Sequence, residues 1–263
     1  MRAAHQRGFT LLELMIAMTI GLFLAAGLIT VVQTNKVVFL NQNQLEQMQD
    51  SQRMAMTMMT DVIQSAGYFP QPWSNSQGGG NTLSGTLLAA SGTFGTFSDT
   101  QAITGQFNAA PPGDTITVRY MTAPQDGILN CSGLSNTNAV GGANVLYYNT
   151  FAVVPGPNGT GGQLDCTVTV GGTPTVYQLV NGVTSLSVMY GVKTLLGAPG
   201  NNVDTYKNAS QMSPTDWQNI ISVQILLTFL NPLYTGAGQG QQQFITIQRV
   251  VDIMSQAGPG PIL

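Results

Sequence analysis

Two kinds of chemistry are legible in the first thirteen residues. The leader MRAAHQR (residues 1–7) is basic, and Gly8 follows it with the small side chain that suits a peptidase. Secretory signals are cut after their apolar core. A cut after Gly8 instead removes only the leader, keeps the apolar run that follows, and creates a cationic amine on Phe9. The second chemistry is the carboxylate of Glu13, the one charge between Phe9 and Val32; the next charged residue is Lys36. That apolar stretch, at ~1.5 Å per residue, spans roughly 36 Å and can cross a bilayer core of ~30 Å. Arg2 and Arg7 keep the leader cytoplasmic by the positive-inside rule and send the remainder outward. A central carboxylate in a membrane helix costs about 2.5–3.5 kcal/mol, so an acid kept there has a function or a partner. The plain alternative is an interfacial acid tolerated on a signal anchor.

The elements that must position these groups are helical. Ala17, Gly21 and Ala25 recur every four residues, and such a small-residue stripe lets membrane helices approach closely. A helix that meets only lipid is the alternative reading. Beyond Val32 the pattern becomes amphipathic: Leu45, Met48, Ala55, Met59, Val62 and Ala66 follow spacings of three, four and seven. Gly67 is the expected stop, with Pro70 and Pro72 beyond it. A helix over residues 9–66 would be roughly 85 Å long. Met54, Met56, Met58 and Met59 could suggest soft-metal binding, but their spacing fits packing against a sheet better.

The chain therefore divides into a leader (1–8), an apolar helix (9–32), its amphipathic continuation (33–67) and a β-rich domain (68–263). Only 7% of the residues are charged, with none between Val62 and Ser98, and the net charge is −3. That composition fits an extracytoplasmic β domain and disfavours nucleic-acid binding, which needs a basic patch. Strands are expected at Leu83–Ala90, Asp114–Met121, Ala143–Val154, Val176–Val180, Val183–Val192, Ile221–Leu230 and Phe244–Ile253, the last two as a long-looped hairpin. Asp216 and Trp217, after Pro214, open a short helix. The fold class is α+β: one very long N-terminal helix on an antiparallel sheet.

Cys131 and Cys166 are the only cysteines and follow the translocated segment, so a disulfide is expected, with two buried thiols as the alternative. Catalysis has little to work with. The sole histidine, His5, lies in the leader, which removes Ser–His and Cys–His nucleophiles and histidine metal sites from the cleaved chain. Asp99, Asp114, Asp126 and Asp165 are isolated acids, read as solvated loop residues. Asn201, Asn202 and Asp204 offer oxygen ligands in a loop, but without the dense acidic spacing of a calcium site. No cofactor or metal is expected.

The junction GFTLLE resembles the type IV prepilin family, whose leader ends in Gly, followed by Phe and, four residues on, Glu; here these are Gly8, Phe9 and Glu13. DVIQSAGYFP (Asp61–Pro70), the LDC around Cys166, LVNGVTSLSVMYGV (Leu179–Val192), VDTYKNA (Val203–Ala209) and DWQNIISVQILL (Asp216–Leu227) resemble the PilW-type minor pilins. Two features depart from that family: Pro70 stands where Gly-Cys is common, and its arginine-rich last strand is reduced to Arg249. The resemblance implies a pilin-like fold, cleavage after Gly8 by prepilin peptidase and N-methylation of Phe9. The new amine on Phe9 of a neighbouring subunit would then pair with Glu13 and relieve the cost of its charge, with the subunit's own amine as the alternative partner. The resemblance also implies an inner-membrane protein with a periplasmic head, incorporated into an extracellular pilus. Its partners would be other minor pilins, the major pilin and the inner-membrane assembly platform. The absence of proline between Phe9 and Phe69 favours a minor subunit over a major one. A minor pseudopilin of type II secretion is the nearest alternative, and a membrane-anchored hydrolase a distant one.

Overall fold

The computed structural model describes residues 10–70, 87–157, 161–195, 200, 202–234, 236 and 240–254. The chain splits into two units, Met1–Gln47 and Met48–Leu263. In the first, the described residues are helical: α1 (Leu11–Gln64) starts here, and every side chain over residues 11–40 is exposed. The hydroxyls in this apolar stretch are satisfied by their own helix. Thr19 donates to Ile16 O at 2.9 Å, Thr30 to Ala26 O at 3.0 Å and Thr34 to Thr30 O at 2.9 Å.

In the second unit, the end of α1 buries Ala55, Met59, Val62 and Ala66, the positions that recur at threes and fours. Met56 and Ile63 widen the buried stripe, while Met54 stays exposed. The methionine cluster thus divides by face, with two members filling the core, where a flexible thioether packs without strain. Gly67 ends the helical run at φ +74°, the left-handed conformation that suits a helix C-terminus. Its N–H bonds Arg119 O at 3.0 Å, and Met121 N bonds Tyr68 O at 2.9 Å, so the chain leaving the helix runs along the sheet.

A small hairpin, β1 (Ala90–Gly92) with β2 (Gly95–Phe97), precedes the main sheet. The sheet contains β3 (Ile103–Gln106), β4 (Thr115–Thr122), β5 (Val145–Val154), β6 (Gly162–Val170), β7 (Thr173–Val192), β8 (Thr205–Lys207), β9 (Ile220–Leu230) and β10 (Phe244–Asp252). All its strand pairs are antiparallel, in the order β10-β9-β7-β6-β5-β4-β3, with β8 beside β7. The expected hairpin of the last two strands is present as β9–β10.

The structure differs from the sequence reading in three places. The two strands expected at 176–180 and 183–192 are one strand, β7, because Gly182 (φ +84°) carries the chain through a bulge without ending it. The early half of β7 pairs with β6 and the later half with β9. Of the strand expected at Leu83–Ala90, residues 83–86 lie outside the described residues, 87–89 are not strand, and Ala90 opens β1. Strands β2, β3, β6 and β8 were not anticipated.

The sheet curls until the start of β4 meets β7. Asp114 N donates to Leu186 O at 2.7 Å and Leu186 N to Pro112 O at 3.1 Å. The Asp114 carboxylate accepts from Asn108 N and Val188 N, each at 2.8 Å, and locks the closure. Gly113 is required there: its φ is +90°, and a Cβ would stand 2.1 Å from Leu186 O.

Candidate assembly motif and its supporting head

Gly8 and Phe9 lie outside the described residues. Thr10 is the first described position, and with Glu13 it forms a reciprocal cap. Glu13 N donates to Thr10 Oγ1 at 3.3 Å, while Thr10 N and Thr10 Oγ1 approach Glu13 Oε2 at 3.5 and 3.4 Å. This is the Thr-x-x-Glu capping box, which satisfies otherwise orphaned N–H groups at a helix start. Thr10 escaped the sequence reading although the spacing itself carries the signal. The return contacts to Oε2 are long for hydrogen bonds, and Oε1 has no partner among the described residues. The carboxylate therefore caps its own helix weakly and keeps acceptor capacity for a cation.

Ala17, Gly21 and Ala25 are all exposed on α1, and a Cβ built on Gly21 would meet nothing within 4 Å. Around them stand Leu22, Phe23, Leu24 and Leu28, Phe23 being 84% exposed. Apolar surface this continuous needs a cover, either hydrocarbon or other helices. The helix is long and apolar enough to cross a membrane.

In the second unit, Cys131 and Cys166 form a disulfide, with Cα atoms 6.1 Å apart. Both are fully buried; Cys131 lies in the loop between β4 and β5, Cys166 in β6. Closing a loop of 35 residues stabilises by roughly 3–4 kcal/mol in the chain-entropy model. Side chains complete what the bridge begins. Asn149 Oδ1 accepts from Cys131 N at 2.9 Å, and Tyr120 donates its hydroxyl to Leu129 O at 2.6 Å. Burial pushes the Tyr120 hydroxyl well above its ordinary pKa, so it stays a donor. Asn136 Nδ2 reaches Thr122 O at 3.2 Å, and Asn130 Oδ1 takes Ser132 N at 3.0 Å.

Arg119 in β4 is the largest fully buried side chain among the described residues. Its guanidinium donates to Gln101 O and Leu88 O, each at 2.6 Å, to Ser98 O at 2.8 Å and to Leu87 O at 3.1 Å. Its face lies 4.5 Å from the Phe97 ring centre. Burial pulls its pKa down, opposed by a Tyr148 hydrogen bond and the Asp99 charge. The cation thus gathers carbonyls and pins the β1–β2 segment to the sheet, where Phe94 stacks on Tyr148 with centroids 3.8 Å apart. Sequence reading gave this arginine no role, because its partners are backbone atoms of a distant segment.

The acids that were candidates for catalysis hold backbone or neighbouring side chains. Asp99 accepts from Ala89 N at 2.6 Å, Asp126 from Ala123 N at 2.7 Å and Asp165 from Gln163 Nε2 at 2.9 Å. Asp204 takes Thr194 N at 2.7 Å and Leu195 N at 2.8 Å, and these bonds lower its pKa. Asn201 lies outside the described residues. Asp216 caps α2 (Pro214–Gln218) from its third position, accepting from Ser213 N at 2.8 Å, and pairs with Lys207 Nζ at 2.8 Å. Burial raises the Asp216 carboxyl, but Lys207 and Ser213 together prevail and hold it below the usual range. Among the described residues no three of His, Cys, Asp and Glu gather as a metal site. A groove of about 400 Å³ beside β1–β2 is lined by Thr93, Phe94, Thr104, Thr117 and Thr150, with no titratable group.

Comparison with known families adds two matches. Residues 3–29 match the prokaryotic N-terminal methylation motif, which takes in Gly8, Phe9, Glu13 and the Ala17–Gly21–Ala25 stripe. Residues 150–257 match type IV pilus-assembly protein W, from the end of β5 through β10. That second match includes Cys166, the Lys207–Asp216 pair and Arg249, and excludes Arg119 and Cys131. No curated protein matches the chain.

Proposed function

Because the chain is a type IV prepilin-like protein of the PilW family, we propose that it works as a minor pilin, joining other minor pilins to start filament assembly. In this reading prepilin peptidase cuts after Gly8 and methylates Phe9. The apolar half of α1 rests in the inner membrane until assembly lifts it into the filament core, and the β-rich unit stays periplasmic. The observation that carries this is Glu13. Every hydroxyl described between residues 11 and 40 is satisfied by its own helix, whereas the Glu13 carboxylate, the one charge between Phe9 and Val32, has an oxygen with no partner among the described residues. An amine on Phe9 of the adjacent subunit would satisfy it and set the axial register between helices. The Ala17–Gly21–Ala25 stripe lets those helices come close enough for the pairing. The remaining partners follow from the same assembly: the major pilin and the inner-membrane platform.

The test is the composition of sheared surface filaments. The chain is expected there at a level far below the major pilin, and its deletion is expected to remove most filaments. Unchanged piliation in the deletion strain, together with lost protein secretion, would assign the chain to a secretion pseudopilus instead.

A further inference from the structure

We propose that the free edge of β10 is a docking strand, which takes an extended, uncharged segment of a neighbouring pilin-like subunit as an additional strand. The proposal rests on the assembly role above. Strand β10 pairs with β9 over nine residues without a register shift. The bonds Asn231 N to Gln243 O and Ile253 N to Ile221 O, both 2.9 Å, fix the parity of this pair. Odd-numbered residues between them exchange hydrogen bonds with β9. The even-numbered ones, Phe244, Thr246, Gln248, Val250 and Asp252, turn their N–H and C=O groups away from it. Among the described residues nothing else pairs with β10.

Folded sheets blunt such edges with proline, lysine, bulges or a covering segment. Here β10 has no proline, lysine or bulge. Its one cation, Arg249, is directed to α1, donating to Thr60 Oγ1 at 3.2 Å. The opposite edge shows the contrast: β3 is only four residues long, and the Gly67–Tyr68 backbone covers the next part of β4. Among the described residues β10 is left open over Phe244–Asp252, and only the outward N–H just beyond it, that of Met254, is taken up, by Gln64 O at 3.2 Å.

The chemistry of the edge selects its occupant. Five outward residues present N–H and C=O groups in alternation, which only an extended main chain can match. Phe244 and Val250, 44% and 49% exposed, bracket Thr246 and Gln248 on one face, and none of the four is charged. A neutral strand with alternating apolar side chains fits there. Edge-to-edge pairing of two copies about a twofold axis would close a dimer, whereas a filament needs a head-to-tail contact. The occupant is therefore another subunit's segment.

The experiment compares Gln248→Pro with Gln248→Ala in the full-length chain, expressed in cells and recovered from membranes and sheared filaments. Proline at this outward position removes an edge donor and spares the β9 ladder. Both variants should keep wild-type melting temperature in detergent. Gln248→Ala should be incorporated like wild type, and Gln248→Pro about tenfold less or lower. In wild type, residue-level hydrogen exchange should show the Thr246, Gln248 and Val250 amides fast in detergent and slow in the assembled state. Wild-type incorporation of a folded Gln248→Pro, or amides that stay fast in the assembly, would overturn the docking strand and leave the assembly role standing. If Gln248→Pro loses its fold, the wild-type amide exchange decides alone. Absence of the wild-type chain from every filament and pilin complex would overturn the assembly role, and the docking strand with it.

Discussion

Glu13→Ala is expected to leave membrane insertion, cleavage and the folded head intact, and to abolish incorporation into filaments. The carboxylate sits one turn into the apolar helix, where an unpaired charge is costly and a cationic partner relieves the cost. Among the described residues its partner is Thr10, through capping contacts of 3.4 and 3.5 Å. Losing that cap costs about 1 kcal/mol of local helix stability, too little to prevent assembly. Thr10→Val separates the two roles: it removes the side-chain half of the capping box and keeps the Glu13 charge, so it should assemble. Glu13→Gln should be intermediate, keeping the hydrogen-bonding shape without the charge. Filament incorporation measured by immunoblot of sheared material reads all three. Glu13→Ala assembling at the wild-type level would make Glu13 a determinant of processing alone.

Arg119→Met is expected to destabilise the head by about 3 kcal/mol and to free the segment around β1–β2. Four carbonyls converge on the guanidinium, and methionine satisfies none of them. Part of the loss is recovered because the freed segment can rehydrate, so the damage is local before it is global. Arg119→Lys should be little better, since a point-like ammonium cannot serve four acceptors as a planar fork does. Melting temperature together with hydrogen exchange over residues 87–101 checks this. Wild-type protection of that segment in Arg119→Met would show that Phe94 and Phe97 hold it without the arginine.

The fold was legible where pattern and burial coincide. Ala55, Met59, Val62 and Ala66 follow helical spacing and are buried, and β9 alternates because one face meets the core. Strand β6 carried a similar signal in Leu164, Cys166 and Val168, which went unread because Asp165 interrupts a short run. The fusion of two expected strands into β7 was hidden because Gly182 is a turn signal locally, and only pairing on both sides keeps the strand continuous. The curl of the sheet could not be read at all, since Asp114 reaches Val188 across more than seventy residues. At the candidate site the sequence exposes Glu13 and the small-residue stripe, because a charge in an apolar run and a four-residue repeat are properties of the string. Thr10 was equally visible and was missed. Arg119 was invisible, since nothing in a sequence says which carbonyls will surround a buried cation.

The intact mass of the chain purified from membranes tests the assembly account most directly. The expected mass is that of a chain lacking residues 1–8 and carrying one methyl group on the Phe9 amine, and a Gly8→Arg variant is expected to keep its leader. A chain that retains residues 1–8, or one cut beyond the apolar run near residue 32, would lack the amine at Phe9 that Glu13 is proposed to meet, and would contradict the account.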